Sequence, residues 1–474
     1  MKSRLYPAAL FGCGLFTVLH VIALPMLMTY DGGDYVKLGL TWPQCFPDSW
    51  DFGRTPLYPL MLRVSFWLFG RQSVAAIIPT VLFGLVGTWA LASAVRRFAG
   101  KLSVAVIVVL TLYPTLIVYE HSVLTEAGSF MFLALIVNWA TWRPAEPWRK
   151  TAALAAGTIA IFLFRPTSLV LFPLVASILA IDLAMAHRTL PGTKSWKLTA
   201  RAVAPHLVVA TLVAYLLSMS WSRLSAASGG RDYQGQQMVF GLLKQAVLPP
   251  DDPLMLPIRD GYLAAISEAT VNGSMDTAGL RPGTHFNLYV QLAPKDDPRK
   301  ILGHAVKDHP GRYAAGVGRT LMLNLGVPAL DSESDSYFQG VVREAETGTK
   351  LFLPPGQLSP ALMASFRQMG GKSAISDLIG ALNAPYRWLL WLGAVMTVIG
   401  FAFGCWRRLG GLVVLSGVPL YWIVAHAFSL MSSDRLVLPA HAFLVVNALV
   451  VPVLIAGSRE LADEARASAA AAGS

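Results

Sequence analysis

The sequence predicts an all-α polytopic membrane protein, and three observations carry that prediction. Hydrophobic residues make up 54% of the 474 and charged residues only 14%, and the mean hydropathy is +0.53, so the bilayer is the solvent to reason with. Apolar runs near the length of a bilayer crossing recur along the chain, giving about ten candidate spans. Basic residues gather in alternate connections between those runs, as orientation in a membrane requires.

The predicted spans are 5–28, 74–95, 102–118, 123–142, 151–164, 167–186, 202–221, 388–405, 412–428 and 436–456, the fifth being short. The first run continues unbroken toward Met28 without a small-x-small cleavage site, so it reads as a retained span and not as a signal peptide. Positive charge falls in one set of connections: Lys2 and Arg4; Arg96, Arg97 and Lys101; Arg143, Arg149 and Lys150; Arg188, Lys194, Lys197 and Arg201; Arg407 and Arg408; and Arg459. All share the cytoplasmic side if both ends are cytoplasmic. The segments 29–72, 119–122, 165–166, 222–387 and 429–435 then lie outside. Short connections and Ala, Gly, Val and Leu richness suggest a bacterial inner membrane, with the outer face periplasmic.

The expected organisation is an N-terminal transmembrane module, 1–221, with a first outer loop at 29–72. A mixed periplasmic insert follows at 222–387, then C-terminal spans at 388–457 and a cytoplasmic tail at 458–474. Within the first outer loop, 56–69 is apolar but too short to cross and is expected along the membrane surface. The insert is rich in Gly, Pro, Asp and Ser, with helical patches at 299–306 and 311–325, and is too long for an idle loop. The net charge of +11 is spent on orientation, so no nucleic-acid partner is expected. Cys13, Cys45 and Cys405 fall at separate levels of the topology and imply neither a disulfide nor a metal site.

Acids are costly in hydrocarbon, so those just outside the apolar runs are the informative ones. The first outer loop opens Thr29-Tyr30-Asp31-Gly32-Gly33-Asp34-Tyr35-Val36-Lys37, two carboxylates at the mouth of the first span. A helix starting after Gly33 would have Asp34 at its cap and Asp31 toward a cavity. The bland reading is that both acids cap or solvate a turn. Downstream come Arg54-Thr55-Pro56-Leu57-Tyr58-Pro59-Leu60, Val123-Leu124-Thr125-Glu126, Phe164-Arg165-Pro166-Thr167 and Asp434-Arg435-Leu436-Val437-Leu438-Pro439. Glu126 is about one turn inside its span, where it needs a partner or water. Glu120 and His121 read as a solvated outer turn, Asp182 and His206 as structural, and His309 before Pro310 as a helix end.

In their order and common outer placement these motifs resemble the GT-C membrane glycosyltransferases. Among those they are most similar to the dolichyl-phosphate-mannose protein mannosyltransferase and aminoarabinose transferase branch. The resemblance covers roughly the first half and the last span, with Lys307-Asp308-His309-Pro310 and Tyr313 similar to a phrase before later spans. It implies a GT-C-like fold and transfer of a hexosyl or pentosyl group from a polyprenyl-phosphate sugar to a glycan, lipid or protein acceptor among membrane lipids. It places the catalytic role on Asp31, with Tyr35 as the matching tyrosine. Because this chain has Gly32 where an acid often follows and Asp34 directly before the tyrosine, either Asp31 or Asp34 serves as the base of an inverting transfer. Tyr35, Lys37, Arg54, Glu126, Arg165 and Arg435 are the expected substrate-binding set, the cations facing the leaving phosphate. Arg165 and Arg435 at outer span ends also suit simple snorkelling to headgroups. No obligatory cofactor is expected; a divalent metal is compatible with the acids but not required by them. The alternatives are a transporter or flippase of lipid-linked sugars, which needs broken or polar helices near the midplane, and a polysaccharide polymerase or ligase.

Overall fold

In a computed structural model of the chain, the described residues are 4–24, 26, 30–44, 55–142, 146–165, 170–188, 196–227, 242, 247, 252–253, 298–325, 374–428 and 439–457. Among them there is no β-strand, and the protein is an all-α polytopic membrane protein. It folds as two compact units: Met1–Gly230, Asp331–Trp422 and Val437–Ser474 form the first, and Arg231–Leu330 with Ile423–Leu436 the second.

The first unit opens with α1 (Leu5–Ala23), which ends where Leu24 turns extended. The next residue is Pro25, and a residue before proline is steered out of the helical region. After α2 (Tyr30–Leu40) comes α3 (Leu57–Phe69), whose thirteen residues reach only about 20 Å and cannot span the hydrocarbon. Its Tyr58, Leu62 and Phe66 are buried while Val64, Trp67 and Leu68 are exposed, the two-faced pattern that the sequence shows at 56–69.

The central element is α4 (Ser73–Ala99), 27 residues with most of its small side chains buried. It lies against α7 (Glu126–Thr141) so closely that a Cβ on Gly87 would sit 2.5 Å from the Phe130 ring. Hydrogen bonds close the far end of that contact: Arg97 Nη1 donates to the Asn138 carbonyl at 2.6 Å, and Asn138 Nδ2 donates to the Ala90 carbonyl at 2.7 Å.

Between them, α5 (Leu102–Thr111) and α6 (Pro114–Glu120) meet at a bend of 58°. Pro114 is the cause, since it offers no N–H to the preceding turn and holds Tyr113 in an extended conformation. Then come α8 (Pro147–Phe164), α9 (Phe172–Arg188) and α10 (Trp196–Ala227). Lys150, buried on α8, pairs with Asp182 of α9 and donates to the Ala140 and Trp142 carbonyls, while His206 of α10 bonds Thr151 at 2.7 Å. Asp182 and His206 thus tie helices together.

The C-terminal group is α13 (Ala374–Arg407), α14 (Gly410–Phe428) and α15 (Pro439–Gly457). Asn447 Nδ2 donates to Thr397 Oγ1 at 2.9 Å, and Gly393 lets α13 approach the Leu444 backbone, where a Cβ would be 2.0 Å from its carbonyl oxygen. Tyr386 of α13 stacks on Tyr113 and donates to the Val109 carbonyl at 2.6 Å, fixing this group to the α5–α6 bend.

Length and composition give six crossing helices among the described residues, or seven if the bent α5–α6 pair is one span, so the expected ten are not all confirmed. The difference lies at 123–142, 151–164 and 167–186, which fall on α7, α8 and α9 of 16, 18 and 17 residues. At 1.5 Å per residue the shortest reaches about 24 Å, less than a hydrocarbon core. In the second unit α11 (Pro298–Asp308) and α12 (Pro310–Asn324) fall on the helical patches read at 299–306 and 311–325. Helix α10 runs on to Ala227 and α13 begins at Ala374.

Candidate active site

Helix α2 begins at Tyr30, ahead of both acids, so Asp34 lies inside a helix and does not cap one that opens after Gly33. The dipole explains the earlier start. Carboxylates in the first two turns are favoured by the exposed N–H groups and partial positive charge there, offsetting the cost of Gly32 and Gly33 in a helix. A spacing of three puts Asp31 and Asp34 on neighbouring positions of one helix face.

The other face of α2 is anchored. Tyr35 is buried, and its ring meets Tyr58 of α3 edge-on, centroids 4.8 Å apart. Close approach of the two helices depends on Gly39, where a Cβ would be 2.8 Å from the Leu62 Cβ. Tyr58, fully buried, packs in turn on Phe164 at 5.6 Å, and Phe164 on Phe83 at 5.3 Å. Val123 and Ala127 belong to the same core. Edge-to-face geometry among aromatic rings adds to the area they bury.

The residues next in sequence to this core are the charged ones. Glu126, with no exposed surface, opens α7, and Arg165 caps α8 directly after Phe164. Arg165 Nη1 lies 3.9 Å from Glu126 Oε1 and 3.4 Å from Ser129 Oγ, to which it donates. Gly128 makes the approach feasible, since a Cβ there would meet the Phe164 ring at 2.1 Å. Tyr58 is within electrostatic reach of both Tyr35 and Glu126.

The structure therefore gathers Tyr35, Glu126 and Arg165 around one aromatic core, with Asp31 and Asp34 on the helix that Tyr35 anchors. Lys37 is on the same helix and exposed. Arg54 and Arg435 lie outside the described residues. Tyr58 was missing from the expected set although it stands in the Arg54-to-Leu60 motif, where its fixed place after Pro56 is the available signal.

A second polar cluster overturns a sequence expectation. Glu120 and His121, read as solvated, are 6% and 1% exposed, because the α5–α6 bend turns their backbone inward. There His20 of α1 reaches both, its Nε2 3.4 Å from Glu120 Oε2 and its Nδ1 2.9 Å from His121 Nε2. Thr80 donates to the Glu120 carbonyl at 2.6 Å. His20 uses two different nitrogens, so the three groups do not converge on a point where a metal could bind.

The fold and this site define a class: an all-α polytopic membrane protein with a short acidic helix after its first span, seated on an aromatic core beside a buried ion pair. No family model matches the chain, and no curated protein matches it. Among solved structures it is similar to ArnT from Cupriavidus metallidurans bound to undecaprenyl phosphate, at 14% identity and a TM-score of 0.33, covering 95% of this chain and 78% of that one. The apo state of the same ArnT gives 14%, 0.33, 94% and 78%. The archaeal oligosaccharyltransferase AglB from Archaeoglobus fulgidus, in complex with an inhibitory peptide and a dolichol-phosphate, gives 12% identity and a TM-score of 0.44. That match covers 98% of this chain and 52% of AglB, so this chain spans about half of its length.

Proposed function

We propose that this chain is a membrane glycosyltransferase of the GT-C kind, moving a sugar from a polyprenyl-phosphate donor to a hydroxyl of a glycan, lipid or protein acceptor at the outer face of a bacterial inner membrane. One observation supports it above the rest. The motifs that carry the family resemblance are far apart in sequence, yet Tyr35, Tyr58, Val123, Ala127 and Phe164 share one core. That core flanks the acidic helix on one side and the Glu126–Arg165 pair on the other.

In this reading Asp31 or Asp34 removes the acceptor proton as the oxygen attacks the anomeric carbon, the bond to the lipid phosphate breaks on the opposite face, and configuration inverts. The phosphate gains charge as it leaves, and Arg165, Lys37, Arg54 and Arg435 are the cations assigned to meet it. Glu126 holds Arg165 in place through their contact. Tyr35 fixes the rotation of α2, and so the direction in which its acidic face looks.

The test is transfer by purified protein from a polyprenyl-phosphate sugar, with Asp31→Asn and Asp34→Asn alongside. Loss of at least a hundredfold in one variant is expected for a missing general base. Wild-type rates in both would end the assignment. A second reading, transport of the lipid-linked sugar, is favoured by the bent α5–α6 pair with buried Glu120 and His121 at its end and His20 of α1 against them, since broken helices with buried polar groups mark transporter sites. Counterflow in liposomes without any transfer would select it.

A further inference from the structure

We propose that the second unit holds a divalent transition-metal ion, of the zinc class, between Asp252, His304 and His309. The inference is independent of the glycosyltransferase reading, because none of these groups belongs to α2 or its core.

The cluster is assembled from three places. His304 lies near the end of α11, and His309 occupies the corner between α11 and α12. There its N–H still bonds the Ala305 carbonyl at 3.2 Å while its own carbonyl accepts from the Tyr313 N–H at 2.9 Å. Pro310 enforces that corner, for it gives no N–H to α11 and suits the first position of α12. Asp252 comes from a segment 52 and 57 residues away and is nearly wholly buried. Nε2 of both imidazoles lies 2.9 Å from the same oxygen, Oδ2 of Asp252, and one ligand atom of each residue lies within 4.8 Å of the others.

The hydrogen-bond geometry suits an ion there. His304 Nδ1 is 2.6 Å from Asp308 Oδ2, one turn along α11, so the Nδ1 proton is committed to that carboxylate. A neutral imidazole so arranged turns the lone pair of Nε2 toward Asp252, where either a proton or a metal cation bridges the two acceptors. With a metal ion in that place, the Asp308–His304–metal line is the carboxylate–histidine relay that orients metal-ligating imidazoles. Two imidazole nitrogens and one carboxylate oxygen suit zinc and its neighbours; calcium and magnesium demand more oxygen ligands than this cluster offers. Tetrahedral bonds near 2.1 Å place ligand atoms about 3.4 Å apart, so the two 2.9 Å approaches need open by only a few tenths of an ångström. Three protein ligands leave a fourth position for water or another group. The bound ion would join the 252–253 segment to the α11–α12 corner.

The experiment uses the full-length protein in detergent or nanodiscs, purified on a tag without histidine and stripped with chelator. Titration with Zn2+ is followed by elemental analysis and thermal unfolding, and Co2+ by its visible absorption. The expected result is about one tightly held equivalent, a rise in Tm, and the intense visible bands of tetrahedral cobalt. His309→Ala and Asp252→Asn lose all three, and Asp308→Asn, a surface change that spares the fold, weakens affinity by about 10- to 100-fold. Absence of a bound equivalent in a folded wild-type protein would overturn the site and leave a hydrogen-bonded His–Asp–His knot. Unchanged stoichiometry in His309→Ala and Asp252→Asn would overturn it equally.

Discussion

Glu126 and Arg165 form a contact of 3.9 Å in which the carboxylate has no exposed surface and the guanidinium side chain is 16% exposed. Each charge is held by the other at the edge of the same core. Removing one partner strands the other in a poor solvent, which costs more than the pair is worth. Glu126→Ala and Arg165→Ala are each expected to destabilise the protein by about 3 kcal/mol, and the double variant by clearly less than the sum. Thermal unfolding of the four proteins in one detergent checks this. Strict additivity would mean that the two side chains do not interact.

Gly128 and Gly157 offer a matched comparison. A Cβ at Gly128 would meet the Phe164 ring at 2.1 Å, whereas nothing lies within 4 Å of one at Gly157. Gly128→Ala should cost about 1–3 kcal/mol through displacement of Phe164 and the adjoining Arg165. Gly157→Ala should be neutral or stabilising, since alanine is the better helix former by about 1 kcal/mol. Equal melting temperatures for the two variants would contradict the close approach of α7 and α8.

Tyr58 separates packing from polarity. Its ring contacts Tyr35, Phe83 and Phe164, and its hydroxyl has no hydrogen-bond partner among the described residues. Tyr58→Ala should destabilise by about 3–5 kcal/mol through the cavity it leaves. Tyr58→Phe keeps the ring and should leave the unfolding free energy within about 1 kcal/mol of wild type. If Tyr58→Phe nonetheless lowers the transfer rate, the hydroxyl acts on substrate.

In chelator-treated protein, the hydrogen bond to Asp252 raises the His304 pKa above 6.5, burial opposing it and the charges of Asp252 and Asp308 adding to it. A raised folded-state value means that this pair stabilises the fold fully below the unfolded pKa. The contribution fades as pH climbs through the raised one. Added zinc works in the opposite direction, since it binds only deprotonated imidazole and stabilises more as pH rises. Melting curves from pH 5 to 9 with and without zinc should therefore diverge toward alkaline pH, and His304→Gln should remove the divergence.

The sequence by itself determined what is local. The run of apolar residues at 5–28, the two-faced helix at 57–69 and the pair of helices around Pro310 follow from composition and spacing within a few turns. The motifs around Asp31, Tyr58, Glu126 and Arg165 were legible for the same reason, being short phrases with fixed spacing.

Only the tertiary structure decided which of those phrases meet. His20 finds His121 across 101 positions, Asp252 finds His304 across 52, and Tyr58 links Tyr35 to Phe164. No periodicity encodes such meetings, because they depend on where a bend turns a backbone and where a glycine lets two helices close. Burial followed the same logic. Glu120 and His121 read as polar and therefore wet, but the α5–α6 bend carries them inside, where His20 and Thr80 replace water as partners.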